Sequence, residues 1–393
     1  MKFFSVLAAG LAVIMAVPTL AAPAPAPAPP GRRLKSIERF QGATTGKYIV
    51  KFKKGASRRN YLNKLKLKAS ADWDILNGFA ADLDEAALEE LRASDDVEYV
   101  AEDGIMHAFV TQTNAPWGLQ RITQPGRLAS QSTSSANYNF TYDASAGAGV
   151  DIYVVDTGVQ TSHSDFGGRA RWGVSYVSES TDGNGHGTHC AGTAAGTRFG
   201  VAKRANIIAV QVLNRSGSGA TSGIVSGLQW VLNQARASGR PSVVSMSLGG
   251  GASTATDNAV AQLTAAGIHV VVAAGNSNVN AANTSPARAP SAITVAASTI
   301  ADAKASYSNY GAVIDVWAPG SNILSAWIGS NTATNNISGT SMATPHVAGV
   351  VAYLIGRDGN ISPAAMATKI KNLAVKNVLS GVPSGTTNAL LQI

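Results

Sequence analysis

Cysteine is nearly absent from the chain. Cys190 is the single thiol in 393 residues, which excludes an intrachain disulfide and any zinc site built on several cysteines. Charge is sparse too: Asp, Glu, Lys and Arg make up 14% of the sequence, against about 25% in an average soluble chain, while 45% is hydrophobic. Disorder needs the reverse balance, and a long coiled coil needs abundant Glu, Lys and Leu. The 40 glycines follow no Gly-X-Y period, so collagen is excluded. Lys and Arg outnumber Asp and Glu by 31 to 23, a net +8, yet they form no dense basic stripe, and no nucleic-acid partner is expected. Beyond the N-terminus no stretch approaches 18 uninterrupted apolar residues, so no membrane partner is expected either. There is no internal repeat. What remains is a globular chain rich in small residues, long enough for one large domain or two smaller ones.

The texture changes three times along the chain. Lys2, the apolar run Phe3 to Val17, a break at Pro18 and small residues to Ala22 read as a secretory signal over 1–21, so the protein is expected outside the cell. An Ala/Pro-rich linker follows over 22–45, extended by its alternating prolines. Charge then rises over 46–109. Strand patterns at Tyr48–Phe52, Ile75–Leu83 and Val97–Ala101, with helices at Ser57–Lys68 and Glu85–Ala93, predict a small α+β domain.

From 110 to 393 the pattern is different. Short Val- and Ile-rich runs recur at Val150–Val155, Ile207–Leu213, Val243–Leu248, Ile268–Ala273 and Ile293–Ala297, with helical stretches at 188–197, 222–237, 256–266 and 342–355. The runs lack polar alternation, so both faces are buried, as in a parallel sheet covered by helices. The fold class expected is α/β, a three-layer domain with a mostly parallel sheet. Its functional residues should gather at the carboxyl ends of the strands.

Three segments carry chemistry. Val154-Val155-Asp156-Thr157-Gly158 puts a carboxylate where a buried strand ends, and Asn184-Gly185-His186-Gly187-Thr188-His189-Cys190 puts an imidazole between glycines before a helix. Gly339-Thr340-Ser341-Met342-Ala343-Thr344-Pro345 puts a serine where a loop enters an apolar helix. A serine hydroxyl attacks only when a base takes its proton, and that base needs a third group to orient it. Singly, Asp156 is a turn former, His186 or His189 a core histidine and Ser341 a helix cap. Together, in the order Asp, His, Ser, they form a nucleophile, a base and an orienting acid.

With these motifs the sequence resembles the subtilisin-like serine proteases, within them the proteinase K branch, from about Gly46 to the C-terminus. The resemblance extends to Gln112-Thr113-Asn114-Ala115-Pro116-Trp117-Gly118-Leu119, Ser245-Met246-Ser247-Leu248-Gly249, Ala273-Ala274-Gly275-Asn276 and Asp315-Val316-Trp317-Ala318-Pro319-Gly320. It implies Ser341 as nucleophile, His186 as general base and acid, Asp156 as orienting carboxylate, and Asn276 as donor to the developing oxyanion beside the Ser341 N–H. It implies a substrate groove from Ser247, Leu248 and Gly249, from Ala273, Ala274 and Gly275, and from the Ser216–Gly219 stretch with Gly217, Ser218 and Gly219. Thr221 stands where some relatives place an aromatic groove wall. Cys190 becomes a buried free thiol beneath the histidine. A structural calcium would take the carbonyls of Pro290 and Ala292 and the carboxylate of Asp315, with no catalytic cofactor. The 46–109 domain resembles the subtilisin propeptide, an intramolecular inhibitor. Its removal is expected near Phe109–Val110, with Met106-His107-Ala108-Phe109 in the groove beforehand.

The expectation is therefore a secreted, monomeric zymogen of a serine endopeptidase acting on proteins and peptides, preferring hydrophobic or aromatic residues before the cut bond. An α/β-hydrolase esterase would need Gly-X-Ser-X-Gly and the order Ser, Asp, His, both missing here. A catalytically dead binding protein should have lost a triad member or Asn276, and none is lost. Gly147-Ala148-Gly149 precedes a strand instead of following one, which disfavours dinucleotide binding. Five sequons stand at Asn139, Asn214, Asn283, Asn336 and Asn360.

Overall fold

The computed structural model describes residues 34–40, 44–106 and 108–393. The secretory signal and most of the Ala/Pro linker lie outside the described residues, as does His107. The described chain forms two units, one centred on Lys47–Glu102 and one holding Phe40–Gly46 with Asp103–Ile393. The division falls ahead of position 109 because Phe109–Ala115 is already a strand of the larger unit, with Phe109 opposite Asp143 and Val110 opposite Tyr142.

In the smaller unit a five-stranded sheet packs on helices Arg58–Lys64 and Glu85–Ala93. Its core is Val50, Phe52, Phe79, Leu91, Val97 and Val100. Asp84 caps the second helix by accepting the Ala87 N–H at 2.8 Å. The first helix stops short of the Lys68 expected for it, because Lys66 takes a left-handed φ of 52°. Ile75 is not in a strand. It sits 91% exposed in a turn between the strands Ala69–Trp73 and Gly78–Ala81.

The larger unit is built on strands β1 (Asp151–Asp156), β2 (Ala170–Ser175), β3 (Asn206–Gln211), β4 (Ser242–Met246), β5 (His269–Ala273), β6 (Ile293–Ser298), β7 (Val316–Pro319), β8 (Val375–Lys376) and β9 (Ala389–Leu390). They form one nine-stranded sheet in the order β8-β9-β7-β6-β5-β4-β1-β3-β2. All neighbours are parallel except β8 and β9. Helices α1 (His186–Ala195) and α4 (Thr340–Asp358) cover one face, and α2 (Thr221–Ser238) and α3 (Thr254–Ala265) the other. A further helix, α5 (Pro363–Leu373), starts on a Ser362 cap.

Strand alternation explains why the runs read as continuously apolar. In β1, Ile152 and Val154 join the core under α1 and α4, while Tyr153 and Val155 join the core under α2 and α3. Helix α4 is buried nearly all round, and Val347, Val350, Val351 and Leu354 are fully covered. Each such side chain contributes roughly 1.5–3 kcal/mol of burial, so the helix that presents Ser341 is anchored along its length.

Candidate active site

Asp156 ends β1, His186 opens α1 and Ser341 lies in the first turn of α4. Parallel strands all point their carboxyl ends the same way, so three segments distant in sequence converge at one edge of the sheet. The His186 Nδ1–H donates to Asp156 Oδ1 at 2.7 Å. The same oxygen accepts the Thr157 N–H at 2.7 Å, while Asp156 Oδ2 is buried without a partner among the described residues. Asp156 is fully buried, so its charge is answered chiefly by the imidazole. The bond at Nδ1 leaves Nε2 as the basic nitrogen.

Burial pushes the His186 imidazole down, but the Asp156 charge, with a contribution from Cys190, overrides it and holds the group well above the usual histidine range. His189 and His346 show what burial does without a carboxylate: they are pushed down to about 3 and about 4. His189 donates from Nε2 to the Ile323 carbonyl at 2.8 Å and His346 from Nδ1 to the Met342 carbonyl at 2.8 Å. Both are neutral core histidines. Burial also pushes the Cys190 thiol up. Its Sγ lies 4.0 Å from His186 Nδ1 and donates to the Ser341 carbonyl at 3.4 Å, so it packs beneath the site as a neutral thiol.

Ser341 Oγ donates to the Ser247 carbonyl at 3.2 Å, and Ser247 Oγ donates back to the Ser341 carbonyl at 2.8 Å. The hydroxyl thus rests on the carbonyl of the groove segment. Asn276 Oδ1 accepts both the Thr340 N–H and the Thr340 hydroxyl at 2.8 Å. A backbone N–H can only face an oxygen, so this pair fixes the amide orientation and turns the Asn276 NH₂ away from Thr340. Ser341 sits among the first-turn residues of α4, whose N–H groups have no intrahelical acceptor. Two donors and a positive helix end therefore accompany the serine.

A cleft of about 610 Å³ opens beside these groups, lined by His186, Asn184 and Thr157, by Gly217, Ser218 and Gly219, and by Ser247, Leu248 and Gly249. Ala273, Ala274 and Gly275 do not line it. The two alanines are buried, and the Gly275 N–H donates to Thr340 Oγ1 at 3.2 Å, which ties that segment to the start of α4. Among the described residues no Asp, Glu, Lys or Arg lines the cleft. Phe109 lies elsewhere, in a second depression with Tyr353 and Arg357.

Around the calcium ligands expected from the sequence, Asp315 Oδ2 accepts the Thr294 N–H at 2.9 Å and Oδ1 faces Lys371 Nζ at 3.2 Å. Thr294 follows Ala292 by two residues, so the carboxylate and that loop share a corner at the start of β6. An all-oxygen donor set of one carboxylate and carbonyls suits calcium. The donor types suit the ion, while both Asp315 oxygens are engaged here, Oδ2 by the Thr294 N–H and Oδ1 by the Lys371 ammonium.

Sequence reasoning missed Asp182, Thr157 and Gln211. Gln211, fully buried on β3, donates from Nε2 to the carbonyls of Thr157 at 2.9 Å and Thr181 at 3.0 Å. Asp182 stands four residues before His186, just outside the glycine-flanked motif. Four of its donors come from the loop and helix start that follow it, but its link to the strand end at Thr157 spans 25 positions, and no spacing rule marks that.

An imidazole bonded to a buried carboxylate, and a serine resting on the Ser247 segment of a cleft that the imidazole also lines, are the components of a serine peptidase site. Comparison with known proteins agrees: residues 147–389 match the Subtilase family model, and residues 63–109 match the Peptidase inhibitor I9 model. The chain belongs to the subtilase family, as a serine endopeptidase preceded by an inhibitor-type propeptide domain. It is 46% identical over 388 residues to the alkaline serine protease ver112 of Corniculantispora psalliotae, covering 97% of this chain and 98% of that one. It is 45% identical to the cuticle-degrading protease of Metarhizium anisopliae, over 94% and 95% of the two chains. Proteinase R of Parengyodontium album is 47% identical, over 88% of each. Among solved structures, a cold adapted subtilisin-like serine proteinase aligns with a TM-score of 0.65 and 46% identity, covering 71% of this chain and 98% of that one.

Proposed function

We propose that the chain is made as a secreted zymogen and hydrolyses peptide bonds through Asp156, His186 and Ser341, with broad preference for hydrophobic or aromatic residues before the cut bond. The carrying observation is the 2.7 Å bond from His186 to a buried carboxylate whose second oxygen has no partner among the described residues. Such a carboxylate gains most when the imidazole becomes imidazolium, so it stabilises the state in which His186 has taken the serine proton. That gain is larger at the transition state than in the ground state.

In the reaction the Ser341 hydroxyl leaves the Ser247 carbonyl, gives its proton to His186 Nε2 and attacks the substrate carbonyl. Negative charge grows on the carbonyl oxygen, where the Asn276 NH₂ and the Ser341 N–H donate. His186 passes the proton to the leaving amine, leaving an acyl group on Ser341. Water, deprotonated by the same imidazole, then releases the acid. No catalytic cofactor enters.

Gly217, Ser218 and Gly219 on one side and Ser247, Leu248 and Gly249 on the other let the substrate backbone pair as an added strand. Ala273, Ala274 and Gly275 act from behind the cleft, holding Asn276 and Thr340 in register. A basic side chain entering a cleft in which, among the described residues, no carboxylate lines the wall is costly to desolvate, which supports the apolar preference over Lys or Arg. The carbonyls of Pro290 and Ala292 and the carboxylate of Asp315 would hold a calcium ion, which would stabilise the fold and take no part in the chemistry. The 46–109 domain is taken as the chain's own inhibitor. Its release at Phe109–Val110 requires the pairs with Asp143 and Tyr142 to open first. The mature enzyme is taken as a monomer. Sequencing the N-terminus of the protein recovered from medium, with mapping of its cuts in casein, tests the reading. The expected results are a start at about Val110 and cuts after Phe, Tyr and Leu. A start tens of residues away, or cuts mainly after Lys or Arg, would contradict it.

A further inference from the structure

We propose that Asp182 is a positioning residue that joins the strand end bearing Asp156 to the helix start bearing His186 and so sets the distance between them. The inference rests on the role of His186 proposed above. Asp182 is buried and its carboxylate receives five donors. Oδ1 accepts the Thr157 hydroxyl at 2.9 Å, the Asn184 N–H at 3.0 Å and the Gly185 N–H at 2.8 Å. Oδ2 accepts the Thr188 N–H at 3.0 Å and the Thr188 hydroxyl at 2.6 Å. The His186 loop and the first turn of α1 are thereby wrapped around one side chain, whose charge also faces the positive end of the helix.

The link to Asp156 runs through Thr157. Its hydroxyl donates to Asp182 and accepts the Gly187 N–H at 3.0 Å, on the residue after His186. Gln211 grips Thr157 and Thr181 from the neighbouring strand. The two segments touch without slack: a Cβ on Gly187 would lie 2.1 Å from the Gly158 carbonyl oxygen. Asp156, Thr157, Asp182, Gly187 and His186 therefore close a ring whose last contact is the 2.7 Å bond from His186 to Asp156. Loosening the ring at Asp182 displaces the base relative to its acid, and a displacement of about 1 Å costs on the order of 10²-fold in rate.

Asp182→Asn keeps the size but sets a donor NH₂ against N–H groups. Thr157→Val removes only the shared hydroxyl. For Asp182→Asn, kcat per titrated active site on a chromogenic peptide should fall about 10- to 100-fold with KM within about twofold. The acid limb of kcat/KM should move to lower pH, as His186 loses part of its contact with Asp156, and Thr157→Val should move it the same way by less. A role in folding alone would lower the number of active sites and leave kcat per site and the limb in place, which would overturn the proposal. If Asp182→Asn does not accumulate, Thr157→Val decides by the same limb. NMR titration of His186 in the Ser341→Ala full chain, with and without Asp182→Asn, needs no turnover. An unchanged imidazole titration there overturns the positioning role, whereas absence of hydrolysis by the wild type overturns the proposed function instead.

Discussion

Replacing Asp156 by asparagine isolates the charge of the orienting carboxylate. Oδ1 keeps its size and both partners, the His186 Nδ1–H and the Thr157 N–H, while the new NH₂ takes the place of the unpartnered Oδ2. The Thr157 N–H also resists the flip that would turn the NH₂ toward His186. What disappears is the field that favours the imidazolium. With it, His186 sits well above 6.5; buried histidines of this unit without such a partner sit near 3 and 4. A unit charge about 4 Å from the centre of an imidazolium is worth about 4 kcal/mol at an effective dielectric constant of about 20, so losing it costs the transition state about 10³-fold as a lower bound for a buried pair. In subtilisin itself loss of this carboxylate costs about 3 × 10⁴ in kcat, which lies beyond that bound. The variant, matured by a trace of wild-type enzyme, should show this loss in kcat on a chromogenic peptide, with its acid limb at lower pH. A kcat within tenfold of wild type, or an acid limb left in place, would refute the electrostatic account.

The wild-type pH profile itself should rise through a midpoint above 6.5, since His186 is a base only when neutral and its raised value delays deprotonation; a midpoint near 5 would contradict the Asp156 contact. Asn276→Ala should lower kcat about 10²–10³-fold with little change in KM, the range known for loss of this donor in subtilisin, and a pure KM effect would place Asn276 in ground-state binding instead. Chelation of calcium should shorten the half-life on heating before it lowers initial rate. Lys371→Met should tighten calcium binding measured by calorimetry, because Asp315 then faces no competing ammonium; equal affinities would show that Lys371 does not compete. Arg121→Leu should cost about 3–5 kcal/mol in denaturant unfolding, since it strips Asp302 of a bidentate buried partner at 2.8 and 3.1 Å. Unfolding within 1 kcal/mol of wild type would show that Asp302 is compensated elsewhere.

Much of this was legible in the residues because it is local. Buried parallel strands are unbroken Val and Ile runs, so β1, β3, β4, β5 and β6 stand out. Asp156, His186 and Ser341 each lie in a motif whose glycines and helix entry travel with the reactive side chain. Edge strand β2 did not stand out, since it is half exposed and carries Arg171 and Gly173. The Ile75 turn was misread as strand because an apolar residue at a turn tip looks the same in sequence as one in a core. Roles set by distant partners were invisible: Asp182 takes its link to the triad from Thr157, 25 positions before it, and Lys371 takes its role from Asp315, 56 positions away.

The central claim is that Ser341 is the nucleophile activated by His186. Treating the mature enzyme with a fluorophosphonate and mapping the adduct by mass spectrometry tests it directly. The account predicts one adduct, on Ser341, rising in step with loss of peptide hydrolysis, and none in Ser341→Ala, which should be folded and about 10⁶-fold slower, as in subtilisin. Full inhibition with the label on another residue, or near-normal turnover by Ser341→Ala, would contradict it.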